Sequence, residues 1–180
     1  MSLHTDALAV LSGWVAPTPA QDELRQRYVD HLAAHDDGVW RGCFPDHLTA
    51  GTLVIDESRE HVLLNLHRKA RRWFAFGGHC EPGDRTLVDA ALREAREESG
   101  LADLRFDPVP AHLDEHAVPF CDPRGEVRHL DVRFVAQAPA GAEHATSDES
   151  LDVRWWPVDD LPDLEPEMHE LIAVARARFA

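Results

Sequence analysis

The segment Gly77–Leu101, GGHCEPGDRTLVDAALREAREESGL, decides how the rest of the chain is read. Glycines and a proline open it, helix formers follow, and Gly100 stands where a helix C-terminus favours glycine. At about 100° per residue, Arg85, Asp89, Arg93 and Arg96 gather as a solvated face. Val88, Leu92 and Ala95 form one apolar stripe. A second stripe runs from Leu87, Ala90 and Ala91 through Glu94, Glu97 and Glu98 to Leu101. The three glutamates therefore lie roughly opposite the arginine face, on a stripe that is apolar at both ends. Like charges packed this closely repel one another, and withdrawing them from water costs more still. A divalent cation removes both penalties, so the stripe predicts a metal-binding carboxylate cluster.

This stretch resembles the Nudix box, G-x5-E-x7-R-E-U-x-E-E-x-G-U, where U is aliphatic. Gly78 matches the opening glycine, and Arg93, Glu94, Ala95, Glu97, Glu98, Gly100 and Leu101 match the second half. The first acidic position holds Asp84, and eight residues separate it from Arg93 where the pattern has seven. The extra residue falls before the helix, so the glutamate spacing is untouched and Asp84 reads as a supporting acid. The resemblance implies an α/β Nudix fold, an α/β/α sandwich with a mixed β-sheet. It also implies Mg2+ (or Mn2+) held by Glu94, Glu97 and Glu98, with the backbone carbonyl of Gly77 completing the shell. The implied reaction is attack of water on a phosphorus of a nucleoside diphosphate linked to another moiety. Magnesium suits such a site because it takes oxygen ligands and needs only a few carboxylates beside substrate phosphates.

Which carboxylate activates the water stays open. Box glutamates Glu97 and Glu94 are candidates, and so is Glu149, which stands six residues before Trp155 in TSDESLDVRWWP and is similarly placed to the later-loop acid of some Nudix enzymes. Glu149 reads equally well as a solvated loop residue. The basic cluster Arg68, Lys69, Arg71 and Arg72 has two readings as well. Arg68 and Arg72 offer bidentate contacts to a pyrophosphate, or the cluster is a solvated connection countering the acidic helix. Phe76, with Trp73 and Phe74, offers a stacking surface for a base, although alternate residues of a strand belong to the core. His79 and Cys80 are read as shape and lining of the glycine loop. His112-Leu113-Asp114-Glu115-His116 spells a zinc-peptidase pattern, H-x-x-E-H, but Pro110 and Pro119 leave no room for the helix that chemistry needs.

Two other classes share the fold. A non-catalytic nucleotide sensor would be favoured by loss of box glutamates, and all three are present. An isopentenyl-diphosphate isomerase carries its cysteine immediately before a Gly-His pair; here Gly77 precedes Gly78-His79 and Cys80 follows.

Composition bounds the partners. The 180 residues carry a net charge of −15, a field that repels nucleic acid and anionic membranes. Cys43, Cys80 and Cys121 have no paired spacing, which points to reduced thiols and a cytoplasmic protein. No apolar run approaches membrane-spanning length. The expected partner is a small nucleotide diphosphate derivative, with a homodimer contact open to the N-terminal helices.

Residues 1–45 read as a helical extension packed on the core, and 46–180 as the catalytic domain. Thr18-Pro19-Ala20-Gln21 has capping-box spacing, Leu24, Tyr28, Val29 and Leu32 make an apolar face, and Gly38 is the expected stop. Leu48–Asp56 and His61–Leu66 predict a hairpin. Trp73–Phe76 predicts a short strand leading into the glycine loop. Val109–Val118, His129–Ala138 and Leu151–Trp156 predict further strands, and Pro166–Phe179 a closing helix.

Overall fold

Strand β1, Asp46–Ile55, organises the molecule, because both its faces are covered and both its edges are paired. In the computed structural model, which describes residues 2–119, 121–148 and 150–180, β1 runs parallel to β6 (Arg128–Gln137) along its whole length, from Asp46 opposite Arg128 to Ile55 opposite Gln137. Its other edge is shared. β4 (Phe76–His79) pairs antiparallel with residues 49–52, and β2 (His61–His67) with Val54 and Ile55. β2 also carries β3 (Trp73–Phe74) and β7 (Ser150–Pro157), and β5 (Arg105–Ala117) closes the far side against β6. The result is a mixed, seven-stranded sheet.

The predicted hairpin forms, with its turn pinned by Asp56, whose Oδ1 accepts hydrogen bonds from the backbone N–H of Glu60 and His61. One expectation changes. Gly77 and Gly78 belong to a strand and not to a loop, and the aromatic segment divides into β3 and β4. The reason is a close backbone approach. A Cβ on Gly77 would lie 2.8 Å from Gly51 Cα, and one on Gly51 would lie 2.9 Å from the Phe76 carbonyl oxygen. Only glycine on both strands lets β4 press this tightly on β1.

Among the described residues, four helices cover the sheet. α1 (Leu3–Gly13), α2 (Pro19–Ala34) and α3 (Leu87–Ser99) contribute to one core, where Leu11, Tyr28, Leu32 and Leu87 meet Leu48, Ala50 and Phe134. α4 (Pro166–Arg178) covers the opposite face, with Met168, Leu171 and Ile172 against Leu53, Ile55, Leu64 and Val135. The alternation of β1, Leu48 and Ala50 to one layer and Leu53 and Ile55 to the other, is what builds an α/β/α sandwich. Each fully buried leucine contributes about 2 kcal/mol of apolar burial, so these layers carry most of the stability.

Helix boundaries follow their caps. Thr18 Oγ1 accepts from Gln21 N–H with Pro19 in the first turn, as its spacing predicts, but α2 ends at Ala34, with the His35 N–H bonded to the His31 carbonyl. Gly38 closes the turn after it. α3 starts with a reciprocal box between Thr86 and Asp89 and ends at Gly100, whose φ of 72° is the left-handed cap expected of it.

Candidate active site

The capped frame of α3 fixes where its charges go. Of the glutamate-bearing stripe, Leu87, Ala90, Ala91 and Glu98 are buried; of the other stripe Ala95 is buried, while Val88 and Leu92 are only partly covered. The three glutamates are not equivalent. Glu98 is 6% exposed, the Glu94 side chain 15% and the Glu97 side chain 61%. Glu98 Oε2 accepts the Gly77 N–H at 2.9 Å, which ties the helix to β4. Glu94 lies against Gly78 so closely that a Cβ there would stand 2.6 Å from its Oε1.

Arg93, expected on the solvated face, turns back into the site instead. Its Nε and Nη2 donate to both oxygens of Asp84 at 3.1 and 3.0 Å, its Nη1 to Glu94 at 2.9 Å and Glu97 at 3.1 Å, and its Nη2 also to the His79 carbonyl at 3.0 Å. The Asp84 hydrogen bond, ahead of the neighbouring carboxylates, raises the guanidinium pKa further, so Arg93 is a permanent cation here. It offsets part of the repulsion that the clustered glutamates create. Asp84 is buried, held by Arg93 and by the Glu81 N–H at 2.8 Å, so it acts through Arg93 and the turn before α3. The donor set is nonetheless one that suits a hard divalent cation: carboxylate oxygens on one helix, beside a strand that glycine keeps clear of side chains.

Glu98, Gly77 and Gly78 open on a cavity of about 340 Å³. Its wall includes Asn65 from β2, Phe74 from β3, and His129, Asp131 and Arg133 from β6. Arg133 is buried and bonded to Asp131 at 2.8 Å and Asp114 at 2.7 Å. Its Nη1, like Asn65 Oδ1, has no hydrogen-bond partner among the described residues. Two buried polar atoms with unmet demand beside a cavity are suited to a polar guest.

The remaining predicted residues scatter. Phe76 is 1% exposed and packs with Val54, Leu63 and Ala95, although its edge touches the cavity wall. Arg68 donates to the carbonyls of Asp148 and Ser150 at 2.9 and 3.1 Å, and Arg72 is ion-paired with Glu165. Glu149 lies outside the described residues. The H-x-x-E-H segment is strand, as its prolines predict, with His116 bonded to Asp114 at 2.7 Å. His79 is more than lining: its Nε2 points at Cys121 Sγ, 3.4 Å away.

Sequence reading missed Asn65, Asp131 and Arg133. A signal for two of them was present, since His129, Asp131 and Arg133 alternate with Leu130, Val132 and Phe134. Polar residues at period two, in a strand too apolar to be an edge, mark a lined cavity.

Comparison with known proteins agrees with this fold. A family model described as NUDIX domain matches residues 45–175. Among solved structures, a hydrolase of the NUDIX family from Clostridium perfringens superposes with a TM-score of 0.56 at 23% identity, over 74% of this chain and 95% of its own. An Ap4A hydrolase from C. elegans gives 0.55 at 19% identity, over 73% and 96%. The dihydroneopterin triphosphate pyrophosphohydrolase of E. coli gives 0.51 at 19%, over 62% and 81%. At these identities the structures speak to fold.

Proposed function

This chain belongs to the Nudix hydrolase family, and we propose that it is a metal-dependent pyrophosphohydrolase acting on a nucleoside diphosphate linked to another moiety. The observation that carries the reading is the coupling of Glu98 to Gly77 at the mouth of the cavity, with Glu94 seated against Gly78. These residues, with Glu97 and the Gly77 carbonyl, would hold Mg2+ or Mn2+. When bound, such an ion neutralises phosphate charge and acidifies a coordinated water.

The chain's own groups do the rest. Arg93 Nη1 donates to Glu94 and Glu97 together and so restrains both carboxylates from one side. Glu97 is the most exposed of the three and accepts a proton from an attacking water without first being unburied. Glu149 is the alternative base; Arg68 donates to the backbone carbonyls of Asp148 and Ser150 and need not touch phosphate itself. Asn65 Oδ1 and Arg133 Nη1 suit the polar edge of the nucleoside or its phosphate.

A screen of nucleoside triphosphates, nucleotide sugars, ADP-ribose, Ap4A and dihydroneopterin triphosphate, with products identified by mass, tests the reading. At least one compound should be cleaved at a phosphoric anhydride. Chelator should abolish turnover and added magnesium or manganese restore it, and full activity in metal-free buffer would overturn the proposal. Tight binding without cleavage across the panel would instead favour a sensor.

A further inference from the structure

Beside the same cavity, three imidazoles converge on one sulfur. His47 at the start of β1, His79 at the end of β4 and His129 near the start of β6 place their Nε2 atoms 4.0, 3.4 and 3.3 Å from Cys121 Sγ. All four candidate ligand atoms lie within 4.8 Å of one another. The rings form a near-equilateral set, with centroids 5.1, 5.1 and 4.9 Å apart. His47 and Cys121 are buried, and the other two partly so.

Hydrogen bonding holds these groups together only weakly, because sulfur is a poor donor and a poor acceptor. A thiol has one hydrogen to give, and three ring nitrogens face it. His47 Nδ1 is 3.1 Å from the Cys43 carbonyl, which only an N–H can satisfy, so His47 Nε2 turns a bare lone pair toward the sulfur. A carbonyl accepting from the outer nitrogen is the arrangement that orients metal-bound histidines. Three imidazoles and one thiol thus share one small volume.

We propose that His47, His79, Cys121 and His129 form a tetrahedral site for a zinc-like transition-metal ion, separate from the carboxylates that hold the hydrolytic metal. Zinc takes sulfur at about 2.3 Å and imidazole nitrogen at about 2.0–2.1 Å, which at tetrahedral angles sets S···N separations of about 3.6 Å. The three observed S···N distances straddle that value, and the ring nitrogens, all within 4.8 Å of one another, would close in by ring rotation. One sulfur and three nitrogens suit zinc and reject magnesium, which takes oxygen ligands. Four protein ligands leave no open position, so the ion is structural. It fastens the beginning of β1, the glycine strand β4, the β5–β6 connection and β6 into one cavity wall. On binding, Cys121 releases its thiol proton to solvent as the sulfur–metal bond forms, and no electron is transferred.

The test uses the full chain. Protein incubated with zinc chloride and freed of unbound metal by gel filtration should retain about one zinc per chain by elemental analysis. C121S and H129Q should retain less than a tenth of that, whereas E98Q should retain all of it. Cobalt loading of the parent protein should give the thiolate-to-cobalt charge-transfer band and the visible bands of a tetrahedral ion. This measurement stands even if C121S fails to fold. Zinc retention that survives C121S, retention that disappears with E98Q, or a cobalt spectrum without the thiolate band would overturn the site. These readouts do not involve turnover, so the site stands or falls separately from the hydrolase reading.

Discussion

Glu94, Glu97 and Glu98 ride on a single helix, offer hard oxygen donors and grade from buried to exposed within two turns. His47, His79, Cys121 and His129 come from three strands and a connection, offer softer nitrogen and sulfur donors, and are buried or half-buried. The first group is open on one side and partly neutralised by Arg93, as a site that must admit phosphate and water has to be. The second, on the proposal above, would be closed by its own ligands. Position and donor type would then separate a site that exchanges its contents from one that keeps them.

The strongest way to break this contrast is at Glu98. Glu98→Gln keeps an oxygen to accept the Gly77 N–H but removes the charge, so turnover should fall about a hundredfold or more with the melting temperature little changed. Steady-state kinetics on the substrate identified by screening checks it. An unaltered kcat would mean that Glu98 only braces β4.

Two neighbouring glycines sharpen the contrast. A Cβ at Gly78 meets the flexible end of Glu94, whereas one at Gly77 meets the Gly51 and Ala50 backbone of β1. Gly78→Ala should therefore lower kcat roughly tenfold or more by displacing a ligand, at small cost to stability. Gly77→Ala should lower stability by about 1–3 kcal/mol through strand displacement. Thermal melts and kinetics on both variants separate the effects, and an equal loss of stability in the two would refute the assignment.

Asp84 should show the smallest effect. Asp84→Asn weakens the bidentate hold on Arg93 and costs about 1–2 kcal/mol of stability, with turnover reduced about tenfold or less. A loss equal to that of Glu98→Gln would make Asp84 a direct participant.

The same contrast explains what was legible in the sequence. The carboxylates could be read because helical periodicity converts spacing into a face, and capping residues fix where that face begins. Arg93 was misplaced because a long side chain reaches across its own helix to a buried acid, which periodicity does not describe. The His–Cys group carries no local pattern: its members lie between positions 47 and 129, and sheet pairing alone brings them together. Cys121 has no partner cysteine, and His79 looked like loop lining because the close β1–β4 approach that makes it a strand residue depends on a glycine, Gly51, in another strand.

One contact at the other end of α3 ties the chain's beginning to its chemistry. Asp6 is buried and its Oδ2 accepts the Leu87 N–H at 2.8 Å, so α1 supplies an anion to the positive end of the helix that bears the glutamates. Leu3, Ala7, Leu11 and Tyr28 seal the adjoining surface. The segment that aligns with the family is consequently not a portable cassette. Cut free at residue 45, it would lose the anchor of its working helix and present an oily flank to water. A graft or library built on this scaffold has to carry the leading helices along.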